Sequence, residues 1–177
     1  MPSLAIALGL AFLLGASAFH KLKDMARFIA IVNGYGLVTP LVLPHAAWAI
    51  AGAEALLAAA LLAPATRAGA GFMAAVLLVA YGAAIAVNLL RGRRQLDCGC
   101  HFGRARQGLS GWLLLRNGAL AALALTLVLP VSSRPLGWFD IANAFFAAAS
   151  AGLFYLTIEA LPAASRRARP FKGEHHG

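Results

Sequence analysis

Five apolar stretches, residues 3–19, 41–63, 69–90, 109–130 and 138–160, leave this chain few ways to fold. A run of about 20 apolar residues matches the length of helix that crosses about 30 Å of hydrocarbon. Helices suit that environment because no water is present there to satisfy backbone N–H and C=O groups. Composition agrees: 61% of the 177 residues are hydrophobic, 12% are charged and the mean hydropathy is +0.77, which excludes an ordinary water-soluble domain. The expected fold is an all-α integral membrane protein, a compact bundle of five transmembrane helices. It becomes four if the first segment is removed, since Ala16-Ser17-Ala18 imitates a signal-peptidase site, but no Lys or Arg precedes the run as a leader would require. Pro40, Pro64, Pro130, Pro135 and Pro162 fall at segment edges, where a missing amide donor does least harm. The spans are rich in Ala and Gly, which lets helices approach closely. Residues 1–164 thus read as one bundle with a loop near 91–108, and 165–177 as a basic, disordered tail.

Basic residues are spread unevenly over the two faces that five spans define. One face carries Arg67 and Arg134. The other carries Lys21, Lys23, Arg27, Arg91, Arg93, Arg94, Arg104, Arg106, Arg166, Arg167, Arg169 and Lys172, twelve against two. Excess Lys and Arg in short loops marks the cytoplasmic side. The expected arrangement is a multi-pass protein of the bacterial inner membrane, N-terminus outside and C-terminus in the cytoplasm. The net charge of +9 then follows from topology, with no nucleic-acid partner implied.

Both cysteines of the chain lie in one connector, Arg91-Gly92-Arg93-Arg94-Gln95-Leu96-Asp97-Cys98-Gly99-Cys100-His101-Phe102-Gly103-Arg104. Thiols that only fill space belong in apolar runs, whereas these sit among charges and glycines. Nearby Arg side chains and His101 favour a thiolate at Cys98 and Cys100, and Asp97 opposes them. A disulfide across a single intervening residue closes a small, strained ring of the exchangeable kind, eased by Gly99. The pair therefore reads as a redox site. A competing reading is soft-metal handling, with Cu(I) on the two sulfurs or Zn(II) with His101 as a third ligand. A third is a scaffold without catalysis. A loop on the cytoplasmic side sits badly with a stable disulfide. Two cysteines cannot relay electrons across a bilayer, so such a pair must alternate its access or use a quinone.

Further polar residues gather on the face of the cysteine loop. His20 and Lys21 end the first span and Asn88 the third, and Arg116 and Asn117 lie about two turns into the fourth, where Arg116 can snorkel to the interface. Glu54 falls near the middle of the second span, beyond reach of water, so it must be neutral, paired or beside a cavity. Arg116 is its one deep cationic candidate. Lys21, Asn88, Arg91, His101 and Arg116 are expected to tune or position the thiols, with Glu54 as a proton or cavity residue.

These residues stand in an order that resembles the MauE/DoxX family of redox-associated membrane proteins. The resemblance is carried by Ala18-Phe19-His20-Lys21-Leu22-Lys23-Asp24, by Tyr35-Gly36-Leu37-Val38-Thr39-Pro40, by Glu54, and by Asn88-Leu89-Leu90-Arg91-Gly92-Arg93 leading to Asp97-Cys98-Gly99-Cys100. Leu109-Ser110 and Leu115-Arg116-Asn117 continue it. His101 departs from the family's usual passage from the second cysteine straight into Phe-Gly or Gly-Gly. The resemblance implies a role in processing, export or disulfide formation of the small, disulfide-rich periplasmic subunit of methylamine dehydrogenase. It also implies a periplasmic thioredoxin-like, MauD-like partner.

Overall fold

The computed structural model describes residues 2–93, 95–96 and 108–129, with positions 137, 138, 142 and 146 singly. The expected span 138–160 lies almost wholly outside the described residues, as do the tail, Asp97, Cys98, Cys100, His101 and Arg104. Five α-helices make up the described part: α1 (Pro2–Lys23), α2 (Met25–Tyr35), α3 (Leu43–Leu62), α4 (Arg67–Leu90) and α5 (Gly111–Thr126). Among the described residues every regular element is an α-helix, as the apolar runs predict. Three of these helices are long and apolar enough to cross a membrane, namely residues Ser3–Lys23, Leu43–Leu62 and Arg67–Leu90, and α5 is a shorter apolar helix.

Each long helix buries one narrow stripe. On α3 it runs Leu43, Ala47, Ala51, Glu54, Ala58, Leu61, steps of three and four that keep one face inward. On α1 it runs Leu10, Leu14, Ala18, Lys21, and on α5 Leu113, Asn117, Ala121, Ala124. Inward positions are dominated by alanine, while Phe12, Leu56, Phe72, Met73, Val76 and Val79 point outward. Small residues inside and large apolar residues outside suit helices that associate in lipid by close backbone approach. Gly71 on α4 marks the tightest such approach: a Cβ there would stand 2.9 Å from the Ala124 carbonyl oxygen and 2.9 Å from Leu127 Cβ.

α1 packs mainly on α3 and α4 on α5, and α3 joins the two pairs through α4. At one end of the bundle the buried interior is apolar. There the first half of α1 (Ala7, Leu10, Leu14), the end of α3 (Ala58, Leu61), the start of α4 (Ala70, Ala74, Leu78) and the end of α5 (Ala121, Ala124) form a single cluster. Hence α1 and α4 run one way and α3 and α5 the other. The α3–α4 connector can be short because its side chains satisfy the exposed carbonyls that end α3: Thr66 Oγ1 donates to the Ala60 oxygen at 2.7 Å and Arg67 Nε to that of Leu61 at 3.2 Å.

The opposite end differs from the sequence expectation in two places. The first apolar helix does not stop at residue 19 but continues to Lys23, with His20, Lys21 and Lys23 in a last turn where cations oppose the helix dipole. The first connector is also not a plain loop, because residues Met25–Tyr35 form α2. Asp24 caps this helix by accepting from the Arg27 amide at 3.1 Å, and Gly36 ends it in the left-handed region at φ 61°. With 11 residues α2 is too short to cross a membrane, and it buries only Phe28.

Candidate functional site

The stripes of all four apolar helices turn polar in the half of the bundle that leads to the cysteine loop, with Lys21 on α1, Glu54 on α3, Asn88 on α4 and Asn117 on α5, all buried. Two of these meet. Lys21 Nζ lies 2.5 Å from Glu54 Oε1, with Lys21 3% exposed and Glu54 fully enclosed. The same oxygen accepts from Tyr81 Oη at 2.6 Å and from Ser17 Oγ at 3.1 Å. Lys21 also donates to Tyr81 Oη at 3.0 Å, so ammonium, phenol and carboxylate form a closed triangle.

Two aromatic faces complete the surroundings of the ammonium, Phe28 at 4.9 Å and Tyr81 at 4.8 Å from the ring centres. Such contacts favour a cation most where water is excluded. The one buried side chain of α2 therefore sits on the ion pair. Removing two charges from water is costly, and a buried pair is tolerated when the partners are close and well hydrogen-bonded. That holds for Glu54 Oε1. Glu54 Oε2 is also buried, and no described residue donates to it.

The cation on Glu54 is thus Lys21, where the sequence offered Arg116 as the one deep candidate without favouring that pair. Lys21 looks peripheral when α1 is ended at residue 19. Once α1 runs on to Lys23, Lys21 falls on the inward stripe, four residues after Ser17. Helical side chains lean toward the N-terminus, which carries its amine back into the bundle. Arg116 is half-buried on α5. Tyr81, Ser17 and Phe28 were not foreseen. Tyr81 could have been found, since it lies seven residues before Asn88 and so on the same face of α4.

Asn88 and Asn117 each spend an amide hydrogen on their own helix, Asn88 Nδ2 to the Ala84 oxygen at 3.1 Å and Asn117 Nδ2 to that of Leu113 at 2.8 Å. Asn88 Oδ1 is buried and accepts from no described residue. Arg91 occupies the C-cap of α4, and its amide donates to the Val87 oxygen at 3.1 Å. Gly92, at φ 73°, then turns the chain out of the helix, and the Arg93 amide donates back to the backbone carbonyl oxygen of Asn88 at 3.0 Å.

Both flanks of the cysteine loop are held at this end. Leu96 before it and Leu109 after it pack with Tyr35, Ile85, Leu89 and Leu113. A Cβ on Gly36 would lie 3.1 Å from Arg93 Nη1, and one on Gly34 3.3 Å from a Leu96 methyl. The last turn of α2 is therefore fitted against the strand of chain that leads to Cys98. Gly36→Ala is expected to lower stability by about 1–2 kcal/mol, the cost of a left-handed L-residue, and to push Arg93 aside. A thermal unfolding midpoint reads the first effect. The double variant with Arg93→Ala should recover only the part due to the contact.

Among the described residues no three His, Cys, Asp or Glu side chains gather as a metal site. Cys98, Cys100 and His101, which carry both the redox and the metal readings, lie outside them. The described residues define the class: an α-helical membrane protein built around a buried, hydrogen-bonded ion pair.

Comparison with known proteins gives the particular family. Residues 1–130 match the family model described as methylamine utilisation protein MauE. The chain is similar to the methylamine utilization protein MauE of Paracoccus denitrificans, 35% identical over 89% of this chain and 85% of the relative. It is 37% identical to the MauE proteins of Paracoccus versutus, over 86% of this chain and 82% of that one, and of Methylorubrum extorquens, over 84% and 79%. The chain belongs to the MauE family. No solved structure matches it.

Proposed function

We propose that this protein is a membrane accessory of methylamine utilisation that supports maturation of an exported protein, the small subunit of methylamine dehydrogenase. Its working chemistry is a reversible disulfide between Cys98 and Cys100. In each exchange one disulfide opens as the other closes, so two electrons pass between this pair and the cysteine pair of a thioredoxin-like periplasmic partner. Membership of a family whose relatives bear the methylamine utilisation name is the observation that carries this reading. Two features add support. Leu96 and Leu109, on the two sides of the loop, pack against α2 and α4. Lys21, Glu54 and Asn88 also lie in the half of the bundle nearest that loop.

The protein sits in the inner membrane in this reading, with five spans and the N-terminus outside. A loop on the cytoplasmic face meets a periplasmic partner only by alternating its access or through a quinone. Replacing Cys98 and Cys100 with Ser is expected to abolish maturation of the client while leaving this protein at normal abundance, measured as active methylamine dehydrogenase and mature small subunit. Normal maturation in that variant would refute the thiol mechanism. Labelling of the two cysteines in intact cells by a membrane-impermeant thiol reagent would place the loop outside and reverse the proposed orientation.

A further inference from the structure

Glu54 is loaded on one side only. Oε1 receives Lys21, Tyr81 and Ser17, whereas Oε2 is equally buried and receives no donor from the described residues. A carboxylate oxygen enclosed without a donor forfeits the hydrogen bonds it had in water, and those to a charged group are the stronger kind. The second buried acceptor with no described donor is Asn88 Oδ1. It lies on the same face of α4 as Tyr81, seven residues and about 10 Å further toward the loop end. Both open positions are acceptors, so what fills them must donate.

Charge narrows the occupant further. Lys21 and Glu54 already balance each other, so an added cation would face the Lys21 ammonium and an added anion the Glu54 carboxylate, each at low dielectric. A neutral donor meets neither penalty. We propose that Glu54 Oε2 anchors an internal binding site for a neutral O–H donor, with Asn88 Oδ1 the next acceptor on the way to the loop end. Two sources share that chemistry: water, and the hydroxyl of a lipid-soluble hydroquinone. The site rests on the geometry around Glu54 and stands whether or not the thiol mechanism does.

The test uses the full chain in lipid nanodiscs with 13C-labelled glutamate. Solid-state NMR at low temperature and short mixing times, where exchange of the Lys21, Tyr81 and Ser17 protons with water is arrested, reads polarisation transfer from water to the Glu54 carboxyl carbon, identified by its absence in the Lys21→Met, Glu54→Leu double variant. Duroquinol and duroquinone are then added in parallel. The first donates and the second only accepts, so the site should favour duroquinol by roughly tenfold or more, the equivalent of one hydrogen bond to a charged acceptor. The double variant keeps the core neutral and therefore remains a folded control. Water transfer that duroquinol displaces supports the lipid-soluble source, and water transfer that duroquinol leaves unchanged supports water. Absence of both water transfer and duroquinol preference would overturn the proposal, as would a preference that persists undiminished in the double variant.

Discussion

Replacing Lys21 with Met is expected to cost this protein about 3–5 kcal/mol, enough to deplete the folded form, because it leaves the Glu54 carboxylate buried without its cation. Glu54→Leu should cost a similar amount by leaving the ammonium between two aromatic rings with no counter-charge. The double variant should recover most of the loss, since apolar side chains of similar volume can replace a buried pair at little cost. Folded yield and unfolding midpoint in a fixed detergent or lipid, compared across the four proteins, give the coupling between the two residues. Additive losses, with no recovery in the double variant, would mean that the ion pair is not an energetic unit.

The second large effect is steric. Gly71→Val is expected to destabilise the α4–α5 pair by about 3 kcal/mol, the upper part of the range for overpacking. The obstacle includes a backbone oxygen, at 2.9 Å from the new Cβ, which cannot rotate away as a side-chain tip would. α5 must then move off α4, and because Leu113 lies in the first turn of α5 and Leu109 just before it the loop flank moves with it. Gly69 is the control: a Cβ there meets nothing within 4 Å, so Gly69→Val should change stability far less. An unfolding midpoint equal to that of the unaltered protein would exclude the close approach.

Hydropathy alone located α3 and α4 to within two residues at each end, because Pro40 and Pro64 mark the edges of otherwise continuous apolar runs. It misplaced the end of α1, since His20, Lys21 and Lys23 read as interface residues when each is judged by its charge. It passed over α2, whose 11 residues mix Arg27 and Asn33 with apolar ones and are too few for a span. The Glu54 site was half legible. Its depth in the second span marked it as needing a partner, but the partner was sought among residues equally deep, and Arg116 was the only cation there. Helical periodicity held the better signal: steps of four, four and three from Leu10 through Leu14 and Ala18 set Lys21 in line with the buried face. Tyr81 and Phe28 depend on how α4 and α2 sit against α1, which no single segment reveals.

The alanines of the interior have a consequence for how this protein tolerates change. Ala47, Ala51, Ala74 and Ala124 are fully enclosed, while Leu56, Phe72 and Val79 face outward. Exchange of one greasy residue for another on the outside alters little, since acyl chains accommodate any shape. Within, a single added methyl is met by a neighbouring helix. A map of permitted substitutions would be the photographic negative of one drawn for a water-soluble helical protein: bulk is forbidden at the centre and interchangeable at the rim.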